Sequence, residues 1–534
     1  MVIRLVSIAM RIHHYALLLL GLVLGLAACE DLGLIADRRQ QYRDANALLS
    51  DSTHRYLKAH LHSGELIIFS PQWAMDTVER CVRGTGTRYD LERVPLGERM
   101  QTLSWDSVAL FETNQPITSR DKGYTATLVT VATIDALVTA ICATNPKACF
   151  GSCPTFYFPG DSGVHKARAE GFSSAIYPAL QYADVDQLGR WEHTCSGPLL
   201  YMKNEALETH VVDRLWLHAF PVVPGEEVRA DPQDRFHRCA TPVACAQARY
   251  LGQDVRPALL RDDGLEWTSL ADANDLRSTG TLELGFVPAG GLDRPGLALT
   301  FRQTLLTTFL LYTALGYMGD EVSDHLARME NDATLRRRAG APLNALQDIR
   351  MEAWVDGDWE QVATVRETGP IARNRIVVPL PEDLGHAREV RLRLHLTPGM
   401  YRLDHAGLVD LLGPAEGEVL LPTALTDHEG CPVRGLDALQ CRDAEKLCAL
   451  PGDVHAITFE PTRGNAAAWQ LFLGADGYYL EWMRPEWLEH TDPRRLRAML
   501  LGNDGEWRAL TREFKGMEAT MEAVFWNSQT PTPL

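Results

Sequence analysis

Hydrophobic and polar positions alternate with a period of two along much of this chain, the pattern of half-buried strands rather than helices. The clearest stretch runs from Ile349 to Leu412. Ile349, Met351, Ala353 and Val355 alternate ahead of Asp356-Gly357, a hairpin-turn dipeptide. Val390, Leu392, Leu394 and Leu396 share one side of the next clear strand, and MYRLDHAGLVDL completes a β-sandwich-like module over 349–412. Shorter runs, GELIIFS, TVERCVRGTGTRYDL with a turn at Gly84 and Gly86, and MQTLSWDSVALFETN, predict a small meander or barrel over 64–123. From 153 to 220 strand, turn and strand repeat, ending in two strands joined at a polar bend. Residues 221–280 are rich in Pro and Asp and read as loops carrying short elements.

Helical spacing is rarer. In 29–63, Leu48, Leu49, Tyr56, Leu57 and Leu61 recur at roughly helical intervals and predict a tether followed by a helix. Residues 124–143, YTATLVTVATIDALVTAICA, are long enough to cross a bilayer, but Asp135 would cost roughly 2.5–3.5 kcal/mol at its centre. A buried helix or helix–strand is the preferred reading, and a membrane-inserted or oligomer-forming segment is the alternative. Residues 299–319 read as a buried helix, and EVSDHLARMENDATLRRRAG as an exposed one. Residues 413–534 form a cysteine-bearing connection and a helical tail, in which Tyr478, Tyr479, Trp482 and Trp487 make a core-facing aromatic stripe. The fold class is α+β, β-rich and multidomain: a small N-terminal meander or barrel, a central mixed region over 124–348 with buried helices and cysteine loops, and the C-terminal sandwich-like module.

The start of the chain speaks to address. Arg4 and Arg11 precede an uninterrupted apolar run at 16–28, short of the roughly 20 residues a membrane span needs. It ends in Leu26-Ala27-Ala28-Cys29. This resembles the lipobox of bacterial lipoproteins, which implies cleavage after residue 28, lipidation of Cys29 and anchoring to a membrane through its acyl chains. Glu30 in the following position favours the outer membrane in a Gram-negative host.

Removing residues 1–28 from 534 leaves 506, enough for two to four domains, and takes away two arginines, so the formal charge moves from −18 to −20. Such acidity argues against a nucleic-acid partner, which needs a basic face. Eleven cysteines less Cys29 leave ten, an even number that suits disulfides in an oxidising envelope. The close pairs Cys149/Cys153, Cys239/Cys245 and Cys441/Cys448 are the candidates. For CFGSC, a structural clamp leads over free buried thiols, half a metal site, and a redox pair of the kind that needs CxxC.

Catalytic signatures are sparse. No GxxxxGK[ST] or HExxH occurs, so neither a nucleotide nor a metal cofactor is expected. Asp184-Val185-Asp186 opens like a calcium loop but meets Leu188 and Cys195 where oxygen ligands belong. Gly171-Phe172-Ser173-Ser174-Ala175 approximates a nucleophile elbow, with His193, His210 and His218 downstream. Glu208 and His210 share a strand face and read as solvated. His54, His60 and His62 read as solvated helix-end histidines, and Asp356 and Asp358 as hairpin residues rather than a cation site.

SVALFETN, NPKACFGSCPTFY and GYYLEWMRPEWL together resemble a family of bacterial lipoproteins to which no activity attaches. The resemblance implies an address and an architecture, and carries over no catalytic residue. The leading functional reading is a non-catalytic, lipid-anchored envelope protein that binds a partner or scaffolds. A glycan-binding envelope lipoprotein comes next, and an envelope hydrolase third. An aromatic platform on 349–412 would favour the second, and a histidine within reach of Ser173 the third.

Overall fold

The computed structural model describes residues 36–42, 45–49, 57–61, 65–89, 95–117, 153–159, 165–192, 197–206, 208–366, 369–427, 429–442, 445–450, 452–464, 466–481 and 490–527. Cys29, the apolar runs 16–28 and 124–143, Cys149, His54, His62, His193, Trp482 and Trp487 lie outside the described residues. Two compact units emerge, one N-terminal and one spanning 145–534. The fold is α+β and β-rich, as the alternation predicts. Among the described residues no helix is long and apolar enough to cross a membrane.

The first unit carries a six-stranded sheet in the order Ala36–Tyr42, Val108–Ile117, Leu57–Leu61, Leu66–Asp76, Cys81–Tyr89, Pro95–Ser104. The helix expected within 29–63 is replaced by two strands, Ala36–Tyr42 and Leu57–Leu61, around a five-residue helix, Ala45–Leu49. Leu57, Ala59 and Leu61 are buried at alternate positions. Their period of two serves the sheet, and the helical spacing of Leu57 and Leu61 was coincidental to it. The turn expected at Gly84 and Gly86 falls earlier, at 77–80, where Arg80 takes a positive φ of 48°. Both glycines lie inside the strand Cys81–Tyr89.

The second unit contains two sandwiches. Sheet I runs Pro422–Thr426, Val454–Phe459, Leu199–Lys203, Thr155–Pro159, His165–Glu170. Sheet II runs Glu418–Leu420, Glu208–Pro221, Ala468–Glu481, Tyr182–Glu192. Phe156, Phe158 and Leu200 from one and Val211, Leu215 and Leu471 from the other fill the core between them. The tyrosines Tyr478 and Tyr479 face this core as expected, but from the strand Ala468–Glu481 rather than from a helix. Trp216 lies against Gly474 so closely that an added Cβ would sit 2.0 Å from its Cε2.

Sheet III runs Phe236–Ala240, Glu226–Ala230, Asn374–Pro379, Pro295–Gln303, Tyr401–Pro414, Val243–Ala244. Sheet IV runs Gln253–Asp254, Gln247–Tyr250, Gly280–Phe286, Val390–Leu396, Ile349–Val355, Asp358–Val365. Leu297, Leu299 and Leu408 of sheet III meet Leu284, Leu392 and Leu394 of sheet IV. The strands of 349–412 therefore make a sandwich only together with strands from 226–303. The hairpin at Asp356-Gly357 forms as expected, with φ of 50° and 94°. Residues 299–303 belong to a strand, and the apolar helix follows at Leu306–Met318. Leu306, Phe309 and Leu310 join Trp507, Leu510 and Phe514 of the helix Asp504–Asn527 in the same core. The exposed helix expected next is two helices, Val322–Asn331 and Ala333–Gln347, because Asp332 caps the second through Thr334 and Leu335 N–H.

Candidate functional site

A buried carboxylate links the two sandwiches. Glu170 ends the last strand of sheet I and is 1% exposed. One of its oxygens accepts backbone N–H groups from Ile371 (2.5 Å) and Ala372 (3.2 Å), just ahead of the sheet III strand Asn374–Pro379. Asp186 of sheet II accepts the Glu170 N–H at 3.0 Å, and Asp184 accepts that of Phe172 at 2.9 Å. Each of these donors would otherwise be a buried N–H without a strand partner, at a cost of about 1–3 kcal/mol. Asp184-Val185-Asp186 thus serves as a strand-edge clamp, and Leu188 is buried in the sandwich core. Nearby, Phe220 and Phe472 of sheet II and Phe236 of sheet III pack with centroids 4.8–5.7 Å apart.

Above this junction lies a cavity of about 110 Å³ lined by Lys166, Arg168, Gln187, Ile371, Arg373 and Arg375, with four cations and no carboxylate in its wall. Strand geometry places them: Lys166 and Arg168 alternate on the edge of sheet I, Gln187 sits on the edge of sheet II, and Arg373 and Arg375 alternate into sheet III. Carboxylates behind the wall hold the arginines. Asp262 binds Arg375 through Oδ2 at 2.5 Å and Oδ1 at 3.0 Å. Burial pushes the Asp262 carboxyl up, but the Arg375 hydrogen bonds and charge outweigh it and hold the group well below the usual range. Arg373 lies 3.4 Å from Asp404 and 3.6 Å from Glu266. Glu266 also takes Arg302, whose side chain is 2% exposed, at 2.9 Å. Lys166 is exposed.

A second, smaller cavity shares Gln187 and Arg375 and adds Asp184, Asp231 and Asp234. Burial raises the Asp184 carboxyl to about 7. Burial and then Asp231 raise Asp234 as well. The combined cleft is basic at one end and acidic at the other.

Apart from Asp184, the residues singled out in the sequence fall elsewhere. Cys153 is buried in the first sandwich; burial, then Glu170 and Glu208, push its thiol well above the usual range, which keeps it protonated and unreactive at neutral pH. The expected Cys239–Cys245 bridge is not formed, and both are free thiols. Cys239 packs with Ala298, Val377 and Val409 on the outer face of sheet III, while Cys245 belongs to the core between sheets III and IV, so a sheet separates them. Cys441 and Cys448 are likewise not joined to each other: Cys441 follows the helix Leu436–Gln440, and Cys448 pairs with Val211 in sheet II. Ser173 donates its hydroxyl to the Glu170 carbonyl at 3.0 Å, and it is Phe172, not the serine, that takes the strained positive φ of 43°. Glu208 and His210 do share a face, but a buried one: both side chains are 0% exposed and 2.7 Å apart. His218 accepts from the Trp216 indole at 2.8 Å, and burial, then Arg214, lowers it to about 4, leaving it neutral. Among the described residues no cluster of three His, Cys, Asp or Glu is arranged to hold a metal ion.

Sequence reasoning missed the cleft. Its four cations are scattered over 166–375, and no local spacing marks them. No family model and no curated protein matches the chain. Among solved structures, the GH31 alpha-xylosidase from Xanthomonas citri is similar at 7% identity and a TM-score of 0.13, over 83% of this chain and 38% of that one. The chain thus spans less than half of the enzyme's length, and a likeness this slight carries no argument about fold or activity.

Proposed function

We propose that this chain is a lipid-anchored cell-envelope protein that acts by binding rather than by chemistry, holding an anionic group of a partner in the cleft between its two sandwiches. The observation that carries the binding reading is the convergence of Lys166, Arg168, Arg373 and Arg375 on one cavity in a chain of net charge −18. At about 30 Å³ per water, the cavity has room for one phosphate- or carboxylate-sized group. Arg373 and Arg375 are pre-oriented by Asp404, Glu266 and Asp262, so little side-chain freedom is lost on binding. The anchor rests on Leu26-Ala27-Ala28-Cys29.

Calorimetric titration with inorganic phosphate, at low and at physiological salt, tests the cleft. Saturable one-site binding that weakens with salt and weakens further in Lys166→Gln and Arg168→Gln is expected. No heat at low salt, or binding indifferent to both substitutions, overturns it. The anchor is tested separately by the intact mass of protein extracted from membranes: residues 29–534 plus acyl chains supports it, and a full-length unlipidated mass defeats it.

A further inference from the structure

The cleft does not end at its cations. Gln187 and Arg375 wall both the larger cavity, of about 110 Å³, and the smaller one, of about 30 Å³, so the two adjoin. The larger has Lys166, Arg168, Arg373 and Arg375 in its wall, and the smaller has Asp184, Asp231 and Asp234. Asp231 is already engaged, with the Arg235 guanidinium at 2.7 Å and His237 at 2.9 Å. Arg375 is turned to Asp262. Asp184 accepts the N–H groups of Phe172 and Val185 and the Tyr182 hydroxyl. Among the described residues neither Asp184 nor Asp234 has a cationic partner, and Lys166 has no carboxylate partner. Two amides lie in the same walls. Gln187 Oε1 and Asn374 Nδ2 are buried without a hydrogen-bond partner among the described residues, and Asn374 as a whole is 6% exposed. A buried donor or acceptor left unmade costs about 1–3 kcal/mol, so these walls favour a ligand that brings one of each.

We infer that the cleft binds a short peptide, of about dipeptide size, by both of its ends. The terminal carboxylate lies among Lys166, Arg168 and Arg373, the terminal ammonium lies against Asp184 and Asp234, and the peptide group between them meets Gln187 and Asn374. This rests on the reading of the larger cavity as an anion site and supplies the other half of the ligand. Size agrees: an ammonium is close to a water molecule, which takes up about 30 Å³ of liquid, the volume of the smaller cavity. Charge agrees as well. A simple anion leaves Asp184 and Asp234 unanswered, and a simple cation leaves Lys166 unanswered. A free amino acid carries both charges on one carbon and brings no peptide group to the two amides. Burial raises Asp184 to about 7, and burial and then Asp231 raise Asp234; an ammonium beside them favours the charged forms that burial opposes.

The full chain is titrated by calorimetry with L-alanyl-L-alanine, N-acetyl-L-alanine, L-alanine and inorganic phosphate. N-acetyl-L-alanine keeps the carboxylate and the amide and lacks the ammonium. The dipeptide should compete with phosphate and bind about tenfold or more tighter than N-acetyl-L-alanine or L-alanine. Asp234→Asn should weaken the dipeptide about tenfold while phosphate binds no more weakly. That position is exposed and has a φ of 57°, which asparagine tolerates, so the variant folds. Lys166→Gln should weaken all the ligands. Phosphate binding with a dipeptide no tighter than N-acetyl-L-alanine or L-alanine, or a dipeptide indifferent to Asp234→Asn, overturns the inference and leaves the anion site standing. Dipeptide affinity kept in Lys166→Gln while phosphate affinity falls places the peptide elsewhere and overturns it too. Absence of phosphate binding together with absence of dipeptide binding brings down both readings.

Discussion

The cleft and the outer face of sheet IV both present arginines, yet the two are made in opposite ways. In the cleft the arginines are supported from behind by carboxylates, Asp262 and Glu266 from a segment more than a hundred residues away and Asp404 from the strand beyond Pro295–Gln303 in the same sheet. On the outer face of sheet IV Arg391 is exposed and lies against the indoles of Trp354 and Trp359, while Arg393 has both the Trp359 ring and the Glu283 carboxylate as partners. A charge fixed by buried partners is part of the fold, and removing it disturbs everything that relied on it. An exposed charge that rests on a half-buried ring and has no carboxylate partner, as Arg391 does, can be changed with little effect elsewhere.

The sharpest break of this comparison is Arg302→Met. Glu266 would keep a buried carboxylate after losing its closest cation, and the folded state should lose about 3–5 kcal/mol, read as a fall in the urea midpoint. A loss as small as that of Arg391→Gln, about 1 kcal/mol from its exposed ring contacts, would erase the distinction between the two sites.

Next in size is the pH response of Asp184. Its carboxyl is 3.8 when unfolded and about 7 when folded, raised mainly by burial. Between those values the folded state binds more protons, so the group favours folding below about pH 4, and that contribution disappears as pH rises to 7. Asp184→Asn removes the slope: relative to it, the native chain should lose stability steadily from pH 4 to 7 and no further above. A flat difference curve would contradict the burial of this carboxyl.

Trp359→Ala should cost about 1–2 kcal/mol, from an aromatic pair worth roughly 0.5–1.5 and an exposed cation–π contact worth roughly 0.5–1, seen as a lower melting temperature with sheet content intact. Smallest is Lys166→Gln, expected to leave stability within about 0.5 kcal/mol while weakening phosphate binding. If it destabilised as much as Trp359→Ala, Lys166 would belong to the supporting frame and not to the rim.

Much of the outer face of sheet IV was legible in advance. Ile349, Met351 and Ala353 must share a buried side, which places Glu352 and Trp354 outward, and Asp356-Gly357 forces the hairpin that brings Trp359 opposite Trp354. Local periodicity failed where two patterns competed. Leu57 and Leu61 suit a helix as well as a strand, and the neighbours at Phe69 and Thr113 decide for the strand. Glu208 and His210 were placed on one face correctly, but whether that face is wet or dry depends on the sheet packed over it.

Period-two alternation, hairpin dipeptides and the short apolar leader ending in Cys29 are properties of neighbouring residues, and the sequence by itself determined the strands of 349–412, the β-rich class and the expectation of an anchor. Only the tertiary structure decided which strands share a sheet, which thiols stay apart, and that Lys166, Arg168, Arg373 and Arg375 line one cavity. The physical reason is range. A strand's faces follow from the pleat over a few residues, whereas the cleft exists because Glu170 satisfies the backbone donors of Ile371 and Ala372, 201 and 202 residues away, which no local pattern encodes.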